Sequence, residues 1–235
     1  MKTKPRIIFL HIPKTGGTSL RCMLLEEYGQ DAVAPVPIGQ ASHDYPYSYL
    51  RHVDPLVYQQ SVQPNEEHRV LMAHYDIRLA NRLPEWCVMT MFRYPVGQLY
   101  SLYKYMRKDQ DLQKMHPYMK TMSFDKWVRS EHVEPYLNMQ TRFMSGHGTA
   151  VGIYTAISWL MNGRLVYGIM DEFNRSVELF NEQFGWSMTP KHLNAILIDP
   201  DFDIKTVELI EELQRDDMEL YRIACEFFDT QFKED

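Results

Sequence analysis

The 235-residue chain has the composition of one globular domain and carries a net charge of −6. Hydrophobic residues make up 45% and charged residues 24%, which is ordinary for a soluble protein of this size with a sizeable core. No apolar run approaches the roughly 20 residues of a membrane span. Met1–Pro5 lead into an apolar run without the features of a signal peptide. We therefore expect a single domain over residues 1–235, in the cytoplasm.

The charge is unevenly distributed, which limits the partners of the chain. Residues 1–110 contain 13 Lys and Arg against 10 Asp and Glu, and residues 111–235 contain 12 against 21. The mildly basic first half suits an anionic nucleotide, whereas the acidic remainder argues against long nucleic acids and highly sulfated polymers. The three cysteines are widely spaced and the nine histidines lack metal-ligand spacing. We therefore predict neither a disulfide framework nor a metal site.

The first predicted elements are a strand over Ile7–Leu10, a turn with two glycines, and a helix. The turn contains Lys14, Thr15, Gly16, Gly17, Thr18 and Ser19, and apolar residues then recur at helical spacing. In such a turn, backbone N–H groups and the positive end of the helix point at an anion. Lys14 adds a full charge, and Thr18 and Ser19 add hydroxyl groups. An ordinary turn between strand and helix is the alternative, which this density of Lys, Gly and hydroxyl residues disfavours.

The position of the lysine distinguishes this turn from the triphosphate loop of kinases, in which the lysine follows the glycines. The string Pro13 to Ser19 resembles instead the 5′-phosphosulfate loop of sulfotransferases that use 3′-phosphoadenosine 5′-phosphosulfate (PAPS). The likeness is closest to the branch with the heparan sulfate 2-O-sulfotransferases and related carbohydrate enzymes. It implies that residues 14–19 bind PAPS and that Lys14 is also catalytic. Golgi members carry an N-terminal anchor, so we expect the Golgi lumen only for a trimmed chain.

Residues 31–64 are rich in Pro, Tyr, Ser and His and have little periodicity, so we predict a long loop with short helical pieces. Loops of this length in compact domains are often functional. The tyrosines of residues 41–58 suit stacking on sugar rings, and His43 is a candidate acceptor-binding residue. A surface excursion whose tyrosines pack locally explains the same composition equally well.

Three further apolar runs predict the other strands. They are Arg69–His74, Cys87–Arg93 and Arg164–Met170. Nearly continuous apolar runs are typical of strands covered on both faces, and a helix-compatible connection between the first two indicates a β-α-β order. We therefore expect an α/β fold, a P-loop-like three-layer sandwich in which a central parallel sheet is flanked by helices. Ligands lie beyond the carboxyl ends of such strands, where Lys14, His74 and Arg93 are expected to meet.

His74 ends the second strand. Its segment, Val70 to Tyr75, resembles the one in which the 2-O-sulfotransferase branch places its catalytic histidine. Sulfuryl transfer needs a base for the acceptor hydroxyl, and neutral imidazole suits that task near pH 7. A structural histidine is the alternative, but the position opposite the Lys14 turn favours catalysis. His43 is the second candidate for the base, and His11 is expected to orient the turn.

Arg93 ends the third strand, and Ser101 follows on the polar side of the next helix. An arginine at this position can hold a phosphate with two hydrogen bonds. The segment Arg93 to Ser101 resembles the family's second nucleotide motif, in which this pair binds the 3′-phosphate of PAPS. Tyr94 stands where the family has an acidic residue and Gly97-Gln98 where it has a Glu-Arg pair, so the resemblance does not extend to the neighbouring salt bridges. Alternatively, Arg93 bonds helix carbonyls.

The rest of the chain is predicted to be mainly helical. Helices are expected from Pro95, from a cap at Ser123, and over residues 134–144, 150–162, 171–184 and 204–232. The segment Asn138 to Arg142 resembles the family's N-x-Q-T-R helix, which borders the active cleft. Arg142 is therefore a candidate ligand of the nucleotide or of an anionic acceptor, with a surface ion pair as the alternative. Residues 166–173 and 185–194 resemble the C-terminal part, in which Lys191 and Asn194 either approach the cofactor or are solvent-exposed.

These segments together predict a PAPS-dependent sulfotransferase that moves a sulfuryl group to a hydroxyl acceptor by in-line transfer and releases PAP. The acceptor is expected to be a carbohydrate, with a lipid or another small alcohol left open. One alternative is a P-loop kinase or nucleotide hydrolase, which the early lysine and the lack of a clear strand-terminal Asp for magnesium disfavour. The other is a non-catalytic nucleotide- or glycan-binding module, which the joint presence of Lys14, His74 and Arg93 disfavours.

Overall fold

The computed structural model describes residues 4–34, 63–146, 152–191 and 203–232, and a four-stranded parallel sheet lies at its centre. The strands are β1 (Ile7–Leu10), β2 (Val70–Ala73), β3 (Cys87–Phe92) and β4 (Leu165–Ile169), in the order β2-β1-β3-β4. All neighbouring pairs are parallel, so the carboxyl ends share one edge. The four predicted strands are confirmed, the last three being one or two residues shorter than predicted.

Helices fill both sides of the sheet. The described α-helices are α1 (Gly17–Tyr28), α2 (Arg78–Arg82), α3 (Pro95–Lys108), α4 (Gln110–Met115), α5 (Phe124–Val128), α6 (Met139–Ser145), α7 (Ile153–Leu160), α8 (Phe173–Phe184), α9 (Ile204–Leu213) and α10 (Arg215–Phe228). Short 3₁₀ segments lie at Gln30–Ala32, Pro117–Lys120, Glu131–Tyr136, Met170–Glu172 and Asp229–Gln231. The predicted start at Pro95 and the Ser123 cap are confirmed, since Ser123 Oγ accepts from Lys126 N. No helix in the described ranges combines the length and apolarity needed to cross a membrane.

Side chains at alternate strand positions enter two separate apolar clusters, which is why the strands read as continuous apolar runs. Ile7 and Phe9 of β1 face a cluster built with α1 and α8. Ile8 and Leu10 face a larger cluster that includes residues of α3, α6, α7 and α10. All four β1 side chains are at most 1% exposed. The predicted three-layer α/β sandwich is confirmed.

Two predicted helices, over 134–144 and over 204–232, were wrong because each is broken in the middle. The first is interrupted at Asn138, whose φ is +49°, between a 3₁₀ segment that contains Pro135 and helix α6. The second is interrupted at Gln214, between α9 and α10. Both breaks come from tertiary contacts, because Asn138 N donates to Gln214 Oε1 (2.8 Å).

Residues next to each break also cap the helix that begins after the other break. Asn138 Oδ1 accepts from the N–H groups of Asp216 and Asp217 (both 3.1 Å) at the start of α10. Asp217 in turn accepts from the N–H groups of Gln140 (3.0 Å) and Thr141 (2.7 Å) at the start of α6. First-turn N–H groups lack partners within their own helix, so this reciprocal capping stabilises both starts. It also fixes the position of Gln140 beside the carboxyl end of β3.

Candidate functional site

The turn between β1 and α1 has a tightly constrained backbone. Lys14 (φ +67°) and Gly16 (φ +93°) both adopt left-handed conformations. A Cβ at Gly16 would lie 2.5 Å from Met170 Sδ, and a Cβ at Gly17 would lie 1.9 Å from the His11 ring. Both glycines are therefore required by close approach of other side chains, and Gly16 also by its backbone conformation.

Every carbonyl group from residue 10 to residue 14 accepts a hydrogen bond from a side chain. One donor lies in the turn itself, one lies in β3 and one in α3, and the other two directly follow β2 and β3. The pairs are Thr90 Oγ1 to Leu10 O (2.8 Å), His74 Nδ1 to His11 O (2.6 Å), Thr15 Oγ1 to Ile12 O (2.9 Å), Gln98 Nε2 to Pro13 O (2.8 Å) and Arg93 Nη1 to Lys14 O (3.1 Å). Five consecutive carbonyls therefore point toward side chains of the turn and of the elements that surround it.

The N–H groups of the turn, unlike its carbonyls, have no partner in the described part of the chain. In a trans peptide the C=O and N–H point in opposite directions, so capturing the carbonyls turns the amides away from the same donors. The N–H groups of residues 15–18 donate to no group in the described part of the chain. The helical hydrogen bonds of α1 begin at Ser19 N, which donates to Gly16 O (3.1 Å). Unpaired amides at a helix N-terminus form an anion-binding site.

Lys14 brings a positive charge to this site. Its side chain is half-buried, and burial, aided by the charge of Arg93, lowers the pKa of Lys14 to about 8. The Nζ lies 4.4 Å from the centroid of the Tyr105 ring, a cation–π distance. Lys14 is therefore mostly protonated at pH 7 but close enough to its pKa to respond to a bound anion.

Arg93 is held from two directions. Gln140 Oε1 accepts from Arg93 N (2.9 Å) and Gln140 Nε2 donates to Arg93 O (2.8 Å), so one side chain pairs both backbone groups. The guanidinium bonds the Lys14 carbonyl, which joins the carboxyl end of β3 to the turn. Burial lowers the pKa of Arg93, and the charge of Asp171 opposes that shift.

The polar side of α3 is buried against the turn rather than exposed. Gln98, Ser101 and Tyr105 lie on one face at helical spacing. Gln98 donates to Pro13 O and Tyr105 lies under the Lys14 ammonium, so Ser101 lies between two residues that contact the turn. Ser101 is 2% exposed. The predicted pair of Arg93 and Ser101 therefore belongs to the same side of the turn.

His74 and His11 form a stacked pair on the other side, with ring centroids 4.4 Å apart. The His11 carbonyl can only accept, so His74 Nδ1 carries the proton and Nε2 is left as an acceptor. Burial lowers the pKa of His74 to about 4, with the positive charges of Arg21 and Lys14 acting in the same direction and the bond to His11 opposing. Burial likewise lowers the pKa of His11. Both imidazoles are neutral at pH 7.

The other predicted site residues lie elsewhere. Arg142 Nη1 donates to Pro135 O (2.8 Å), burial lowers the pKa of Arg142, and the charge of Asp217 opposes that shift. Lys191 forms an ion pair with Glu26 in the second half of α1, far along the helix from the turn. His43 and Asn194 lie outside the described residues.

Several residues of the site went unrecognised in the sequence. Thr90 and Tyr105 have no local signature, since their partners are distant along the chain. Gln140 lies in the segment that resembles the N-x-Q-T-R helix, but its contact with Arg93 was not predicted. Asp171 follows β4 at the same edge of the sheet. Its position directly after a predicted strand is a signal in the sequence, because ligands of parallel sheets lie beyond the carboxyl ends of the strands. Its Oδ2 accepts from Tyr94 N (3.4 Å) and from Tyr221 OH (2.8 Å). A carboxylate near Arg93 is thus supplied from β4 rather than from position 94.

Two aspartates, Asp76 and Asp171, lie at the carboxyl edge of the sheet, where a kinase would need a carboxylate to bind magnesium. Asp76, after β2, accepts from Arg78 Nε (3.0 Å) and Nη2 (2.7 Å). Asp171 is engaged as described above, so both strand-terminal Asp residues already have partners. No three His, Cys, Asp or Glu side chains of the described residues are grouped as metal ligands.

The whole chain was compared with known sequences and structures. A crystal structure of a sulfotransferase from Alicyclobacillus acidocaldarius is similar to this chain with a TM-score of 0.48 and 17% sequence identity, over 94% of this chain and 99% of that chain. No protein-family model and no curated protein sequence matches the chain. A likeness this distant decides neither the activity nor the substrate, which depend on the geometry of the turn.

Proposed function

We propose that this protein is a PAPS-dependent sulfotransferase that transfers a sulfuryl group to a hydroxyl acceptor. The observation that carries the proposal is the turn after β1, in which five carbonyls are captured by side chains and four amides are left at a helix N-terminus. Lys14 stands before the paired glycines, an order that resembles the phosphosulfate loop and not the triphosphate loop. Arg93 provides a second cation, as a ligand with two separate phosphates requires.

In this proposal the amides of Thr15, Gly16, Gly17 and Thr18 bind the 5′-phosphosulfate, with the hydroxyls of Thr18 and Ser19 at its rim. The hydroxyl of Thr15 already donates to Ile12 O, so Thr15 contributes its amide. Arg93 and Ser101 bind the 3′-phosphate, which distinguishes PAPS from a simple adenylate. The pairing of Arg93 with backbone groups preorganises it for this task.

The proposed reaction is a direct displacement at sulfur. His74 Nε2 takes the proton of the acceptor hydroxyl as its oxygen forms a bond to sulfur. The bond from sulfur to the phosphate oxygen breaks, and its electron pair leaves with PAP. Lys14 and the turn amides stabilise the charge that develops on that oxygen, as in phosphoryl transfer.

The acceptor is proposed to be a carbohydrate. The support is the resemblance of the turn to that of carbohydrate sulfotransferases and the tyrosine-rich composition of residues 41–58. A lipid or another small alcohol is distinguished from it by screening acceptors with labelled PAPS.

The first test of this proposal is whether the protein binds PAP in preference to ATP with magnesium, and the second is whether it transfers sulfate. Calorimetry with the full chain is expected to show binding of PAP and much weaker binding of ATP with magnesium. Lys14→Ala should reduce transfer of labelled sulfate by about 10² to 10³, the cost of losing one donor at a developing oxyanion. The matched control is Lys104→Ala, which removes an exposed lysine over Tyr100 on α3 and should leave transfer unchanged.

Each other result points to a different function. Tighter binding of ATP with magnesium than of PAP supports a kinase or hydrolase. Binding of PAP with no transfer to any acceptor or to water supports a binding module.

A further inference from the structure

The side chain of Lys14 starts from a fixed backbone. Lys14 has a φ of +67°, which is uncommon for a residue other than glycine. The carbonyls on both sides of its Cα are held, because Gln98 Nε2 donates to Pro13 O and Arg93 Nη1 donates to Lys14 O. The direction in which the side chain leaves the turn is therefore set, and contacts farther along the side chain decide where the ammonium lies.

The ammonium of Lys14 lies over the ring of Tyr105 on α3. Its Nζ is 4.4 Å from the ring centroid, whereas the other cation–ring distances between described residues are 5.3 to 5.9 Å. Lys14 also lines a narrow cleft together with Leu99 and Leu102 of α3 and with Tyr136. The lysine is therefore directed toward this helix, and the ring of Tyr105 is the close contact at its charged end.

An aromatic ring, and not a carboxylate, holds this ammonium. No acidic side chain of the described residues acts on Lys14, and Asp171, the carboxylate nearest to this side of the turn, acts on Arg93 instead. A carboxylate would cancel the charge that an anionic ligand has to meet, whereas the face of an aromatic ring attracts an ammonium and carries no net charge. The ring of Tyr105 therefore holds the ammonium while its full charge stays available.

One face of α3 serves three parts of the site. Gln98 holds the Pro13 carbonyl, Ser101 is proposed to bind the 3′-phosphate, and Tyr105 follows Ser101 by one helical turn. Because these residues belong to one helix, the carbonyl, the hydroxyl and the ammonium keep fixed relative positions. The ammonium thus lies on the side of the turn where a ligand with two phosphates is proposed to bind.

We propose that Tyr105 is a positioning residue, whose ring face holds the Lys14 ammonium where the 5′-phosphate of the donor binds. The identity of the ligand rests on the proposed function, whereas the contact between ring and ammonium does not. A cation that is already in place contributes more to binding, and more to stabilising a developing charge, than one that the ligand must first order. Tyr105 acts through Lys14 and is not itself a catalytic residue.

The experiment compares two rings of nearly equal shape at position 105 of the full chain. One protein carries Tyr105→Phe, and in the other pentafluorophenylalanine replaces Tyr105. Fluorine withdraws electrons from the ring face, so the second ring no longer attracts an ammonium. NMR of labelled lysine side chains, with the Lys14 signal assigned by Lys14→Arg, gives the pKa of Lys14 in each protein. This pKa should be lower by about half a unit with the fluorinated ring, because the charged form loses its attraction.

Calorimetry with PAP at about pH 6.5 tests positioning apart from protonation. Lys14 is protonated there, Arg93 keeps its charge, and His11 and His74 across the turn stay neutral because burial lowers the pKa of both. PAP should bind about two- to fivefold more weakly with the fluorinated ring than with phenylalanine, because the ligand then has to order the lysine.

A matched control uses the far end of α1. The same two replacements at Tyr28, whose ring lies 5.3 Å from Lys4 Nζ, should change neither the pKa of Lys14 nor the affinity for PAP. An equal Lys14 pKa with the two rings at position 105 overturns the proposal. Equal or tighter PAP binding with the fluorinated ring also overturns it, and tighter binding would mean that the ring competes with the ligand for the lysine. If PAP fails to bind the wild-type protein, the proposed function is wrong, and the NMR titration alone decides whether the ring holds Lys14.

Discussion

The two sides of the turn after β1 are built differently. On the β3 side, Arg93 is 8% exposed, Gln140 pairs both of its backbone groups, and its guanidinium holds the turn. On the β2 side, His74 is half-buried, its ring stacks on that of His11, and its Nδ1 donates to the His11 carbonyl. The β3 side is therefore held by hydrogen bonds to both backbone and side chain, whereas on the β2 side His74 Nε2 has no hydrogen-bond partner among the described residues.

The largest difference between the two sides is expected from His74→Ala. Loss of the proposed base should lower the rate of sulfate transfer by about 10² to 10⁴. PAP affinity should fall by no more than about tenfold, because the variant releases the His11 carbonyl while the other four side-chain donors to the turn remain. Single-turnover transfer and calorimetry measure the two quantities. Full transfer by this variant contradicts the assignment, and His43→Ala then tests the second candidate.

Gly17→Ala is expected to break both sides at once. The new Cβ would lie 1.9 Å from the His11 ring, so the ring or the turn has to move. Overpacking of this kind costs about 1 to 3 kcal/mol of unfolding free energy, and a displacement near 1 Å slows sulfate transfer about 100-fold. Urea unfolding and single-turnover transfer check both. Gly163→Ala is the matched control, since nothing lies within 4 Å of a Cβ there; equal behaviour of the two variants contradicts the prediction.

Gln140→Ala tests the rigidity of the β3 side alone. It leaves the buried N–H and C=O of Arg93 without partners, at a cost of about 1 to 3 kcal/mol. PAP affinity should fall about tenfold because Arg93 is no longer held in place. The exposed Gln110→Ala on α4 is the control. A variant that unfolds normally but binds PAP as before would show that Arg93 does not need this support.

The affinity for PAP should depend on pH through Lys14. Its pKa is lowered to about 8 in the free protein, and PAP binds the protonated form. Affinity is therefore fully present below pH 8 and should fall by up to about tenfold per pH unit as pH rises through that value. Calorimetry across this range measures the slope. Lys14→Arg keeps its charge and should bind without the slope, and a wild-type profile as flat as that of this variant contradicts the prediction.

The smallest expected effect is on the pH dependence of the free energy of unfolding. The pKa of His74 falls from 6.5 to about 4 on folding, so its contribution is complete above pH 6.5 and is lost as pH falls toward 4. Burial raises the pKa of Asp217 from 3.8 to about 6, which makes the protein gain stability as pH falls through 6. His74→Asn should flatten the loss in acid and Asp217→Asn should steepen it. Urea unfolding between these pH values checks the two opposite signs.

Much of the fold could be predicted because its signals are local. Each strand is a short apolar run, and Pro95 and Ser123 mark helix starts by their own chemistry. The break at Gln214 could not be predicted, because helical spacing continues through it. The break near Asn138 has one local signal, Pro135, and hydrogen bonds between Asn138 and residues 213–217 set both positions. That the chain forms a single domain over residues 1–235 stays a prediction.

The sequence by itself determined that Lys14, His74 and Arg93 follow parallel strands, and a parallel sheet necessarily brings such positions to one edge. Only the tertiary structure decided how they are used. The capture of the five carbonyls, the support of Arg93 by Gln140, the carboxylate of Asp171 and the stacking of His11 on His74 mostly join residues far apart in the chain. Such contacts have no period and no local pattern, since they depend on how the layers pack and not on the conformation of any one segment.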